Sequence, residues 1–192
     1  MNETKFKREL REELKERLGN DYSIEMDKNL IYKVIVDKNL QYIPINPKNP
    51  KRGEYAFQTD LVIIKKDSNL PLVIIETKYG GFSTHDVLTY STKALKHKEI
   101  YPYIRYGLVV GGKNKIDNKF FIHNVGFDFA IALRELKEED LKRLSTIIQK
   151  QLESAKLVLD IFMNKKKVKE FNSVIKVGWA ENKKNVKEND NG

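Results

Sequence analysis

"AFQTDLVIIKKDSNLPLVIIETKYGG" (residues 56–81) holds two β-rich runs joined by Lys-Asp-Ser-Asn, a hairpin-type connection. Nearly every residue in the two runs is Leu, Val or Ile, on both alternating faces. Such strands are expected in the middle of a sheet, buried on both sides. The polar exceptions cluster at one end. A hairpin centred on Ser68 sets Asp60 directly opposite Glu76. Side chains alternate along a strand, so Lys78 shares that face and Thr77 points away; a slip of one residue would send one acid to the other face. Two carboxylates opposed across a ladder, with Cβ atoms about 5 Å apart, repel each other and need compensation. A divalent cation supplies it, because hard carboxylate oxygens suit Mg²⁺ or Mn²⁺. A metal held by Asp60 and Glu76 can activate water and neutralise charge on a phosphate. Lys78 beside it can orient the water or stabilise the developing oxyanion. The apolar strand is then a rigid mount and its polar end the working tip. On the residues alone, the alternative is a structural ion pair, with Lys78 neutralising Glu76 and Asp60 capping a strand start.

The flanking sequence places this hairpin in a mixed α/β domain. Residues 2–19 predict an amphipathic helix, with Phe6, Leu10, Leu14 and Leu18 at helical spacing and Gly19 as its C-cap. "YSIEM" (22–26) and "LIYKVIV" (30–36) read as short strands, and the proline-rich, basic stretch 43–55 as a loop. After Gly80 and Gly81 a helix is expected over 83–100, N-capped by Ser83 or Thr84, with Val87, Leu88, Ser91, Ala94 and Leu95 along one side. "IRYGLVVGG" (104–112) is another strand, and "KFFIHNVGFDFAIAL" (119–133) is expected to hold one or two more. A long helix covers 137–163, its stripe running from Leu141 through Leu144, Ile148, Leu152, Ala155 and Leu159 to Phe162. The stripe suits the core or a homodimer interface. Residues 1–163 form the expected domain, with no internal repeat and no second domain. Residues 164–192 are a basic polar tail, with eight lysines against four acids, a net of +4. In that tail "SVIKVGWA" (173–180) reads as a further strand and the last dozen residues as disordered.

Composition narrows the classes. The 192 residues include no cysteine, which excludes a disulfide frame and a Cys-ligated metal. No apolar run approaches a membrane span, and the N-terminus has no secretory h-region, so a cytoplasmic, membrane-free protein is expected. Lys and Arg number 36 against 27 acids, a net charge of +9 that favours a polyanionic partner such as nucleic acid. A lysine-rich overall composition is the plainer account of that charge. "GGKNK" (111–115) lacks the spacing of a phosphate loop, and no Gly-x-Ser-x-Gly elbow occurs. Three scattered histidines without cysteine do not make a zinc enzyme.

At Asp60 in "FQTDLVII" and at "ETK" (76–78) the sequence resembles the PD-(D/E)xK nuclease superfamily, with Thr59 where the family name has proline. The expected order of elements, helix, three strands, helix, strand, is similar to the family core over roughly residues 3–112. The resemblance implies a restriction-endonuclease-like fold, three-layered, with a mixed central sheet flanked by helices. It implies Mg²⁺-dependent hydrolysis of phosphodiester bonds, with Asp60 and Glu76 on the metal and Lys78 assisting the attacking water. Some members bring an acid from the first helix to the metal, for which Glu9 and Glu13 are candidates here, although both also suit a solvated helix face. Others carry Gln-x-x-x-Tyr on the following helix, where this chain has Asp86 and Tyr90. His85 is a further candidate for touching phosphate, with a surface or capping role as its alternative. Lys51, Arg52, Lys93 and Lys96, together with Lys48, Lys98 and Arg105, are candidate phosphate contacts of a DNA-facing cleft. Trp179 suits either base stacking or the core. The function expected is a restriction-type DNA endonuclease. A structure-specific nuclease of the Holliday-junction-resolvase kind, a non-catalytic nucleic-acid-binding subunit and an accessory subunit active only in a complex are the alternatives.

Overall fold

The computed structural model describes residues 1–44 and 46–179. Helix α1 (Glu3–Leu18) starts where Asn2 accepts a hydrogen bond from the Lys5 N–H at 2.9 Å, and ends at Gly19, whose φ of 75° suits glycine. It buries Phe6, Leu10 and Leu14. Strand β1 (Tyr22–Met26) follows. The chain then leaves the main sheet through β2 (Asn29–Ile31), β3 (Ile35–Val36), β4 (Tyr42–Ile43) and β5 (Ala56–Gln58). It returns as β6 (Leu61–Lys65) and β7 (Leu70–Tyr79), crosses over through α2 (Thr84–Ile100) to β8 (Arg105–Gly111), and continues through α3 (Asn118–His123), β9 (Phe129–Leu133) and α4 (Glu138–Asn164).

The main sheet has the order β1-β6-β7-β8-β9. Its first two pairings are antiparallel and its last two parallel, so the sheet is mixed and β7 is central. Leu61, Ile63, Val73, Ile75, Val109 and Ile131 face α1 and α4. Val62, Ile64, Ile74, Leu108 and Val110 face α2 and α3. The domain is therefore α/β, with helices covering both faces of one sheet. Gly111 sets the seat of α1: a methyl group there would lie 2.5 Å from the Phe6 ring. That close approach presses the first two turns of α1 onto the end of β8, beside the end of β7.

The hairpin register is the expected one near the working end, with Leu61 opposite Ile75 and Ile63 opposite Val73. A bulge after Ile63 then shifts the tip, pairing Ile64 with Pro71. The run 56–66 is not one strand. It breaks at Thr59 and Asp60 because the Thr59 N–H and hydroxyl both donate to the Lys28 carbonyl, at 2.9 and 3.0 Å, while the Asp27 N–H donates to the Asp60 carbonyl. The first half thus pairs with β2 in a ribbon of its own.

Other expectations change where tertiary contacts decide. Of the one or two strands expected over 119–133 one forms, β9; residues 118–123 are a helix in which only Phe120 is buried. On α2 the buried residues are Val87, Ser91, Ala94 and His97, while Leu88 and Leu95 are exposed. On α4 the stripe is buried from Leu141 to Ala155 and emerges by Phe162. No strand forms over 173–179, and Trp179 is 89% exposed, so it is not a core residue. The last dozen residues lie outside those described. Among the described residues no helix is long and apolar enough to cross a membrane.

His97 was silent in the sequence and is fully buried, with Nε2 donating to the Leu30 carbonyl at 3.2 Å. Burial holds its pKa down at about 4. An unfolded histidine titrates near 6.5, so between about pH 6.5 and 4 the unfolded chain binds the extra proton and stability falls as pH falls. The fully developed effect is up to about 3 kcal/mol. Urea unfolding across this window should show a steeper loss in the wild type than in His97→Gln. Equal slopes would mean that His97 charges readily in the folded state.

Candidate active site

Strand β7 ends in Glu76, Thr77, Lys78 and Tyr79, and the chain leaves it through Gly80 and Gly81, both at positive φ. Beyond the carboxyl ends of parallel strands is where open α/β sheets bind their ligands, and β7 and β8 run parallel here. Glu76 and Lys78 point toward α2. Thr77 points toward the opposite layer, as the alternation requires.

Asp60 is not a ladder partner of Glu76. Pairing stops one residue short, at Leu61, and Asp60 sits in the bend between β5 and β6. From there its Oδ2 accepts from the Thr77 N–H at 2.8 Å and from the Thr77 hydroxyl at 3.0 Å. The Asp60 carboxylate is thus bound to the residue between Glu76 and Lys78. Its other oxygen accepts from Lys7 of α1 at 3.3 Å, and Lys7 also donates to Asp27 at 2.6 Å.

Glu76 is only 1% exposed. Its Oε1 accepts from Lys93 Nζ of α2 and from the Tyr106 hydroxyl of β8, both at 2.7 Å. Oε2 accepts no hydrogen bond among the described residues. Burial raises the Glu76 pKa, Lys93 opposes that, and Asp60 adds repulsion. Burial also keeps the Tyr106 hydroxyl protonated, helped by the neighbouring Glu76 charge.

Lys78 Nζ lies 3.2 Å from Asp86 Oδ1 and 3.5 Å from Glu3 Oε2. Burial works against its charge but is outweighed by the Tyr90 hydroxyl and by Glu3 and Asp86, so its pKa is raised above the ordinary lysine value. The Tyr90 ring lies between two ammonium groups, 5.4 Å from Lys78 and 5.5 Å from Lys93. Asp86 is also the capping-box acid of α2: its Oδ2 accepts from the Ser83 N–H at 2.7 Å, and its own N–H donates to Ser83 Oγ.

Other candidates lie elsewhere. Glu9 pairs with Lys5, and Glu13 with Arg17. The acid that α1 brings to the cluster is Glu3, because the helix starts at the working end and runs away from it. At 1.5 Å per residue, Glu13 lies about 15 Å further along the axis. His85 is exposed on the first turn of α2, with Thr89 as its neighbour. Lys96 pairs with Glu99, Lys98 with Asp128 and the Gly126 carbonyl, and Arg105 with Ser154. Lys93 neutralises Glu76 instead of lining an open cleft. Lys48, Lys51 and Arg52 are exposed on the excursion between β2 and β5.

The sequence reading missed Glu3, Lys7 and Tyr106. Tyr106 carried a signal: a tyrosine inside an otherwise apolar, buried strand needs a partner for its hydroxyl. Glu3 and Lys7 share the face of Phe6, but only the seating of α1 shows which end of the helix meets the site. Comparison with protein-family models and with curated proteins finds no match.

Proposed function

We propose that the chain is a metal-dependent DNA endonuclease of restriction type, built on a restriction-endonuclease-like fold. Asp60 and Glu76 are its metal ligands, and Lys78 assists the attacking water. The observation that carries this is the hydrogen bond from the Thr77 N–H to Asp60, which brings a carboxylate from the β5–β6 bend to the end of β7 that carries Glu76 and Lys78. The order helix, three antiparallel strands, helix, parallel strand through α1, β1, β6, β7, α2 and β8 adds support.

The donor set fits Mg²⁺, or Mn²⁺ in its place. Among the described residues no three His, Asp or Glu converge, so there is no all-protein cage. Mg²⁺ is commonly bound by one or two carboxylates, with water and substrate phosphate completing its shell. The free Oε2 of Glu76 and the carboxylate of Asp60 are such donors. When bound, the cation would supply water activation and charge neutralisation.

The chain's own residues do the rest. Thr77 fixes the Asp60 carboxylate through two hydrogen bonds. Lys93 and Tyr106 hold Glu76 in one orientation and keep a buried carboxylate compensated. Lys78 stays protonated, so it serves as a hydrogen-bond donor and a positive charge and not as a proton acceptor. A homodimer would present two such sites for cutting both strands.

Ionised Glu76 is the ligand, and its pKa is raised, so cleavage should decline as pH falls through that raised value. Lys93→Met removes the compensating charge and pushes the Glu76 pKa further up. The acid limb of the pH–rate profile should therefore move to higher pH in the variant. An unmoved limb would mean that Glu76 does not control the profile.

Purified protein incubated with supercoiled plasmid and Mg²⁺ or Mn²⁺, with EDTA as control, tests the proposal. Metal-dependent nicking or linearisation is expected, with discrete bands for a restriction-type enzyme. Preference for a branched junction over linear duplex would favour a resolvase-like enzyme. The buried Lys93–Glu76 ion pair favours a second reading, a nucleic-acid-binding subunit in which the cluster is structural. No cleavage in either metal, with DNA binding unaffected by Asp60→Ala, would support it.

A further inference from the structure

The excursion between β2 and β5 combines a local excess of cations with an exposed apolar tip. Between Tyr32 and Tyr55 it carries Lys33, Lys38, Lys48, Lys51 and Arg52 against Asp37 and Glu54. Among the described residues none of these five cations pairs with an acid, whereas the lysines of the cluster and all three on α2 do. Asp37 is spent on the backbone: its Oδ1 accepts from the Asn39 and Gln41 N–H groups at 2.8 and 2.9 Å. That turn joins β3 to β4 and holds Leu40 at a φ of 60°, and the residue is 85% exposed. A leucine in the left-handed region, aimed at water, is strained and unfavourable on two counts. Tyr42, next to it on the ribbon, is 70% exposed, and Val36 is exposed as well.

The excursion is mounted firmly beside the site. Tyr32 and Phe57 stack with ring centroids 3.8 Å apart, and Phe57 packs edge-on against His97 of α2. Its return strand, β5, ends at Gln58, next to the Thr59–Asp60 bend that is pinned to Asp27 and Lys28. The base of the excursion is therefore held in fixed relation to Asp60.

Unpaired cations flanking an exposed apolar and aromatic tip on a two-stranded ribbon suit one class of partner. Phosphates accept the cations, and a groove admits a β-ribbon or an apolar wedge. We propose that residues 33–44 and 46–52 are the grip of this protein on duplex DNA. Lys38, Lys48, Lys51 and Arg52 sit on backbone phosphates, and Leu40 and Tyr42 enter the groove. This rests on the nuclease reading for the role of the bound duplex, but binding can be measured apart from cleavage.

The test is fluorescence anisotropy of a labelled 25-bp duplex with the full chain in EDTA, over a series of NaCl concentrations. Each phosphate contact contributes about 0.9 to the slope of log K against log salt. Combined Lys38→Gln, Lys48→Gln, Lys51→Gln and Arg52→Gln should make the slope shallower by about 3–4 and weaken binding at least about tenfold at 100 mM NaCl. Leu40→Ser with Tyr42→Ala should weaken binding about tenfold with the slope unchanged, because stacking and groove contacts release no counterions. Lys150→Gln, an exposed lysine of α4 outside the grip, should change neither. All of these residues are exposed, and circular dichroism checks that the variants stay folded. Wild-type affinity and slope in the grip variants would overturn the proposal, even if the plasmid were cut. Loss of binding in them would uphold the grip, even if no cleavage were found.

Discussion

Replacing Glu76 by glutamine is expected to lower metal-dependent plasmid cleavage about a hundredfold to a thousandfold, equivalent to roughly 3–4 kcal/mol of transition-state stabilisation. The amide oxygen can still accept from Lys93 and Tyr106, the two groups that hold Oε1 at 2.7 Å. The scaffold is kept, and what is lost is the charge that a divalent cation requires. Stability should fall, because the buried Lys93 ammonium loses its counter-charge, but by less than in the alanine variant, because the amide oxygen still accepts its hydrogen bond. Glu76→Ala is different. It leaves the Lys93 ammonium largely buried without its carboxylate, and removing one partner of a buried pair costs about 3–5 kcal/mol. Chemical denaturation run beside the plasmid assay separates the two. If Glu76→Gln cleaved like the wild type, Glu76 would be a structural residue and not a ligand.

Lys78→Met is expected to lower the cleavage rate about a hundredfold while leaving the affinity for Mn²⁺ within about twofold of wild type. A loss confined to turnover marks an interaction made in the transition state and not in binding. The lysine has no part in the proposed metal ligation, and its nearest anionic neighbours, Asp86 and Glu3, are partly exposed. Removing a charge from such a pair costs at most about 1 kcal/mol of stability, so unfolding cannot mimic the effect. Single-turnover cleavage at saturating Mn²⁺ reads the rate directly. A wild-type rate would assign Lys78 to the Asp86–Glu3 ion cluster alone.

The residues that set the fold were legible because they are locally consistent. The two-sided apolar runs of 61–64 and 72–75 can only be central strands, and the hairpin length fixed their register to within the bulge after Ile63. The reach of Asp60 was not legible. It depends on two backbone contacts of Lys28 and Asp27, which break the strand just before the carboxylate and turn it toward Thr77. The run 119–133 is open to one strand or two by composition; it holds one, β9, and residues 118–123 form a helical turn that buries Phe120. Glu9 and Glu13 share one face of α1 at i, i+4, and that spacing holds no information on which end of the helix meets the sheet. That is set by the contact of Phe6 with Gly111, between residues far apart in the chain.

The most direct measurement is Mn²⁺ binding to the full chain by calorimetry at neutral pH, with Asp60→Asn and Glu76→Gln beside the wild type. Saturable binding by the wild type, weakened at least about tenfold in each variant, is the predicted result. Equal binding by all three proteins, or none by any, would contradict a divalent-cation site at the end of β7.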